Sequence, residues 1–254
     1  MKTIILKKSA VLSALNCLLL IASIGLVSAN GIYKSVMAQK TGIPIYSVET
    51  DKKEVCITFD AAWECSDTEK IIEILKKHNA KATFFAVAQW AIENEADVIK
   101  LRNAGHKIEN HSYSHKMYTD LTESEMCDDI AECNETLAAI TDYNPTLVRV
   151  PSGEYNQNVI STIFSLGLYP IQWDIDSLDY TGISVGNIID RVLPNVKNGS
   201  IILFHNGVKN TPDALEVILT ELEKQGYKFV SVDELIYKDN FIIDHEGTQK
   251  RAEQ

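Results

Sequence analysis

The stretch Asn110-His-Ser-Tyr-Ser-His115 sets two histidines four positions apart. On a helical turn such a pair shares one face, and two imidazoles there can share a divalent cation. Alone the spacing is a weak sign, because many surface helices contain it. Other polar residues strengthen it. Asp60 and His111 close short apolar runs, and Arg149 stands near the end of another. Asp174 closes a further run, with Asp176 and Asp179 just beyond, and His205 closes one more. Each alone is by default a solvated loop residue. Five run ends carrying Asp, His, Arg, Asp and His read as one site. With a carboxylate expected beside them, His111 and His115 read as metal ligands. His78, at a helix end beside Lys76 and Lys77, His106 after Gly105, and His245 near the C-terminus read as ordinary polar residues.

The apolar runs are the elements that must position these groups. Residues 55–60, 81–87, 106–110, 147–150, 168–174, 200–205 and 228–232 read as seven strands. Helical patterns lie between them. Residues 67–79 place Ile71, Ile72 and Leu75 on one face, and 211–226 do the same with Leu215, Ile218, Leu219 and Leu222. Residues 121–140 open with a capping box from Thr122 to Glu125 and carry a stripe of Met126, Ile130, Cys133, Leu137 and Ile140. Strand alternating with helix implies an α/β fold with parallel pairing and right-handed crossovers. In such folds the loops after the strands' C-terminal ends converge on one face. No linker rich in Pro, Gly or Ser divides the set, so the repeating part is one domain.

The 254 residues suffice for one sizeable core. Lys2, Lys7 and Lys8 precede an apolar run from Ala10 to Val27 that ends in small residues, so 1–29 read as a secretory signal peptide or an uncleaved membrane anchor. Either places the folded part outside the cytoplasm, secreted or held on the outer face of the membrane. Cys17 lacks the preceding small residue of a lipoprotein site. Removing the leader takes three lysines and no acid, so the net charge of −11 becomes −14. A chain this acidic repels nucleic acid and gains nothing from an anionic membrane surface. Its substrate is expected to be neutral or to generate a cation. Cys56, Cys65, Cys127 and Cys133 show no CxxC spacing and read as small buried or half-buried thiols.

Five segments in order, "TFDAAW", "HSYSH", "RVPSGEYN", "WDIDSLDY" and "LFH", resemble the polysaccharide deacetylases of the NodB-homology type, carbohydrate esterase family 4. The resemblance covers residues 53–237, after a lead-in of 30–52 and before a polar tail of 238–254. The first and fourth segments are similar to extracytoplasmic deacetylases of spore-forming bacteria. The resemblance implies a distorted (β/α)7-type barrel. It also implies a divalent metal, usually Zn²⁺, on His111 and His115, polarising a water and an acetamide carbonyl. Asp60 is then the general base, paired with Arg149, and a backbone N–H near Ser152 faces the oxyanion. His205 protonates the departing amine, with Asp179 setting its charge and tautomer.

Three positions depart from the family pattern. Ala61 stands where most members carry an aspartate that is the metal's third ligand. Asp67 is a candidate substitute, although its favoured reading is the N-cap of the helix beginning near Thr68. Ser152 replaces a tyrosine, and Tyr180 replaces a tryptophan while keeping an aromatic surface. Trp63 and Trp173 could face sugar rings, but core packing is the default for both. The expected activity is removal of N-acetyl groups from an N-acetylglucosamine polymer, peptidoglycan or a related cell-wall glycan. A glycan-binding relative without catalysis and an amidohydrolase acting on a non-sugar C–N bond are the alternatives. Nothing in the chain argues for a particular oligomeric state.

Overall fold

The computed structural model describes residues 42–252. The leader, and the lead-in up to residue 41, therefore lie outside the described residues. The chain runs β1 Ser47–Val48, β2 Glu54–Ala61, α1 Thr68–Lys77, β3 Ala82–Ala86, α2 Ala88–Glu93, α3 Glu95–Asn103 and β4 Lys107–Asn110. It continues α4 Glu123–Thr141, β5 Leu147–Val148, α5 Gln157–Ser165, β6 Tyr169–Pro170, β7 Ile175–Asp176 and α6 Val185–Val192. β8 Ile201–His205, α7 Thr211–Lys224, β9 Lys228–Phe229, α8 Val232–Leu235, β10 Phe241–Ile243 and β11 Thr248–Arg251 complete it.

Seven strands lie in the order β6-β5-β4-β3-β2-β8-β7, all parallel, and β9 pairs with the start of β2. This is a curled (β/α) sheet, a barrel left open between β6 and β7. Alternation along β2 divides its residues between two cores. Val55, Ile57, Phe59 and Ala61 face the helices, while Cys56 joins Phe85, Leu147 and Ile201 inside the curl. Phe59 stacks on Phe84 of β3 with ring centroids 4.7 Å apart and is fully buried. Removing such a ring costs about 3–5 kcal/mol, so this contact is part of what holds the central strands in register.

α4 starts as its capping box predicts. Glu125 N donates to Thr122 Oγ1 at 3.3 Å, and Thr122 N donates back to Glu125 Oε2 at 2.9 Å. Its stripe of Met126, Ile130, Cys133 and Leu137 is buried. The four described cysteines are free thiols, buried or half-buried.

The structure differs from the strand reading in two places. The run 168–174 is strand only near its start, where β6 pairs with β5; β7 follows just beyond it and pairs with β8 at the other edge of the sheet. Asp174 consequently does not end a strand at the site. It accepts hydrogen bonds from Ile201 N at 2.8 Å and Ser200 Oγ at 2.9 Å, beside the start of β8 and away from the strand ends. The second difference lies at the chain ends. Ile45 N donates to Pro170 O, Gln172 N donates to Ile45 O, and Val48 N donates to Gly199 O, so residues 45–48 span the gap between β6 and the start of β8. A Cβ at Gly199 would stand 1.7 Å from Val48 O, so only glycine permits this approach. β10 and β11, within the polar tail, form a hairpin that pairs with β1. Gln249 is buried there and exchanges two hydrogen bonds with the Tyr237 backbone.

Candidate functional site

Parallel register sets Asp60 of β2 opposite His205 of β8, so the two reach the same rim. Arg149 arrives from the end of β5. Its Nη1 donates to Asp60 Oδ1 at 2.8 Å and its Nη2 to Gln172 O at 3.0 Å. The guanidinium is fully buried, 4.1 Å from the centre of the Phe85 ring and 5.4 Å from that of Trp173. A buried ion pair is a poor source of stability, but it fixes position and charge. Burial pushes Asp60 upward, yet His111, Arg149 and His205 outweigh it and hold the carboxyl below its ordinary 3.8.

His111 follows β4. Its Nδ1 lies 2.8 Å from Arg149 O, a group that can only accept, so Nδ1 carries the proton and Nε2 is left as a lone pair. Burial, with help from His115 and against Asp60, lowers His111 to about 4. Asp60 Oδ2 stands 3.5 Å from that Nε2.

The helical turn expected for His111 and His115 is not formed. Residues 111–117 make a loop in which Ser112 and His115 adopt left-handed φ of 73° and 60°. Asn110 Oδ1 accepts from Ser112 N at 2.8 Å, and Ser112 Oγ accepts from His115 N at 2.8 Å. These bonds hold backbone that costs of order 1–3 kcal/mol at each such residue. The result still brings the two imidazoles together, centroids 5.0 Å apart and edge to face. Burial lowers His115 as well, against the charge of Asp60.

The opposite side is wired differently. Asp179 is fully buried and lies 2.7 Å from His205 Nδ1. It also accepts from His205 N at 2.8 Å, Thr211 Oγ1 at 2.6 Å and Tyr180 N at 2.8 Å. Burial lowers His205, but the hydrogen bond and charge of Asp179, with Asp60 and Asp176, overcome it and raise the imidazole above 6.5.

Asp60, His111, His115 and His205 share a cleft of about 290 Å³ with Ser152, Tyr180, Trp63, Trp173, Asp176 and Leu203, while Arg149 and Asp179 stand buried behind it. Ser152 enters it on a left-handed turn at φ 57°. The Tyr180 ring, 54% exposed, meets His205 edge to face at 4.9 Å. Core packing fails as a reading for Trp63, which is exposed at the rim. Trp173 is half-buried and borders the cleft. Asp176 and Leu203 were not among the expected site residues. Leu203 was accessible to reasoning, because it alternates with His205 on the inward face of β8.

Asp67 does not join the cleft. It stands at the expected N-cap position of α1, but its side chain makes no capping hydrogen bond there, and its Oδ1 instead accepts from Gly207 N at 2.7 Å. Ala61 is fully buried among apolar residues. Among the described residues, no group of three His, Cys, Asp or Glu side chains is spaced to hold a metal ion. The donors present fit a cation held by the imidazoles of His111 and His115, with solvent completing its shell. His78 and His106 lie elsewhere. His78 Nδ1 is 2.8 Å from Glu223 Oε2, and burial lowers His106 to about 4.

A family model described as polysaccharide deacetylase matches residues 47–171. The peptidoglycan-N-acetylglucosamine deacetylase PgdA of Listeria monocytogenes is 32% identical over 82% of this chain, which spans only 44% of that protein's length. A peptidoglycan-N-acetylglucosamine deacetylase of Bacillus cereus is 34% identical, covering 74% of this chain and 70% of that one. The solved structure of BA3943, a CE4 family pseudoenzyme from Bacillus anthracis, superposes with a TM-score of 0.73 at 30% identity, over 82% of this chain and 70% of that one. A mutant of BA3943 is described as having restored enzymatic activity.

Proposed function

The chain belongs to the polysaccharide deacetylase family, and from that premise we propose that it hydrolyses N-acetyl groups from an N-acetylglucosamine-type polysaccharide, peptidoglycan or a related cell-wall glycan. The observation that carries this reading is the assembly of a clamped carboxylate and a proton-bearing imidazole on one rim, Asp60 with Arg149 and His205 with Asp179.

Asp60, kept ionised by Arg149, takes a proton from a water in the cleft, whose oxygen then adds to the acetamide carbonyl carbon. The backbone at Ser152 faces the oxygen that becomes negative. As the C–N bond breaks, His205 gives its proton to the nitrogen, so acetate and a free amine leave. An amine is a poor leaving group unless protonated, which is why Asp179 matters to the rate. The family is generally metal-dependent, and a divalent cation on His111 and His115, zinc in our reading, would supply Lewis-acid polarisation. The basic, apolar leader supports an extracytoplasmic location, where cell-wall glycan is found.

Ala61 favours a second reading, a glycan-binding protein without turnover, because among the described residues no third ligand replaces it and BA3943 is a pseudoenzyme of the same fold. The test is acetate release from N-acetylated peptidoglycan and chitooligosaccharides, after chelation and again after adding zinc or cobalt, with His111→Ala as control. Metal-dependent release lost in His111→Ala supports the enzyme. No release from folded protein with any metal supports the binding protein.

A further inference from the structure

Trp63 exposes 58% of its surface at the rim of the cleft. Its ring centroid lies 5.9 Å from that of His115 and 5.7 Å from that of His205, so one indole spans both imidazole groups. Leaving this much of a large apolar ring in water forfeits its burial energy. The loop carrying it is nonetheless fastened. Glu64 O accepts from Asn206 Nδ2 at 2.6 Å, and Asp67 Oδ1 accepts from Gly207 N. A Cβ at Gly207 would stand 2.6 Å from Glu64 Cβ and 2.7 Å from Glu64 O, so the two loops meet closely at a glycine of φ 73°. The carboxylate of Asp67, absent from the cleft, is thus used to hold the Trp63 loop against the loop after His205.

A cleft of about 290 Å³ is at the small end for a binding site and takes one sugar ring rather than a chain of them. A polymer must therefore extend over the rim. The axial C–H bonds of a β-linked pyranose form an apolar face that packs on a flat aromatic ring. We infer that Trp63 is a stacking platform for a pyranose ring of the glycan and a specificity-determining residue that favours oligomers over small N-acetyl compounds. The inference rests on the glycan reading above, with or without turnover.

The test uses the full chain and β-1,4-linked N-acetylglucosamine pentamer. Titration of the wild type is expected to shift tryptophan emission to the blue, and Trp63→Phe, which keeps Trp90 and the cleft-lining Trp173, is expected to remove most of the shift while binding persists by calorimetry. Trp63→Ala is expected to weaken pentamer binding about tenfold. In active protein it raises KM for the pentamer by a similar factor and KM for N-acetylglucosamine monomer much less. Undiminished pentamer affinity in Trp63→Ala, or a shift undiminished in Trp63→Phe, overturns the inference. Because emission and calorimetry need no turnover, absent acetate release combined with a Trp63-dependent shift rejects the enzyme and keeps the platform.

Discussion

His205 and His111 are buried imidazoles on one cleft, yet their neighbours set them to opposite states. His205 meets a carboxylate that is itself held by Thr211, Tyr180 N and the His205 backbone, and it is raised above 6.5. His111 donates to a carbonyl, which fixes its tautomer and favours protonation, but burial outweighs this and lowers the ring to about 4. One side of the site holds a proton ready to give. The other holds imidazoles suited to a cation but, among the described residues, no third ligand beside them. The difference teaches that the carboxylate-paired imidazole is wired fully by the fold, whereas the His111 and His115 pair is not completed by it.

The largest effect expected from this comparison is at Asp60, which both sides share. Asp60→Asn should lower acetate release roughly 10³-fold or more, within the range for a general base, with an unchanged circular-dichroism spectrum. Retained activity would remove Asp60 from the base role and leave the two sides unconnected.

Asp179→Asn tests the proton-bearing side and should cost about 10²-fold. It also removes the hydrogen bond and charge of Asp179 that raise His205 most, so the imidazole falls. The acid must be protonated to act. The alkaline limb of kcat/KM, above 6.5 in the wild type, should therefore move to lower pH in the variant. A limb that stays in place would separate His205 from leaving-group protonation.

The smallest effect, and the sharpest test of the cradle, is at Ala61. Ala61→Asp places a carboxylate among apolar residues, so the metal-free variant should melt below the wild type. Zinc or cobalt should restore it by binding the folded state, with affinity roughly tenfold above the wild type. Equal metal response in the two proteins would place residue 61 outside the cradle and return the comparison to the two imidazoles alone.

Much of this contrast was legible before any coordinates. Asp60, His111, Arg149, Asp179 and His205 follow short apolar runs, and parallel strands deliver such ends to one face. The capping box of α4 is local chemistry, and it forms as read. The histidine loop was not legible, because its left-handed residues are held by Asn110 and Ser112 in a pattern that periodicity does not encode. Nor was the fate of Asp67, since a carboxylate before a helix looks the same whether it caps that helix or reaches a glycine 140 positions away. The early end of the strand in residues 168–174, and the new strand just after it, escaped for a related reason. An apolar run announces extended chain but not which neighbour it will pair with.

The amino-acid order alone thus determined the alternation of strands and helices, the acidic balance and the residue types available at each strand end, because these depend on near neighbours and on composition. Tertiary structure decided which imidazole keeps a proton, where Asp67 is used, how residues 45–48 span the barrel's open edge and why Trp63 stands in solvent. Those outcomes depend on burial and on partners far away in sequence, and only the folded chain brings them within bonding distance.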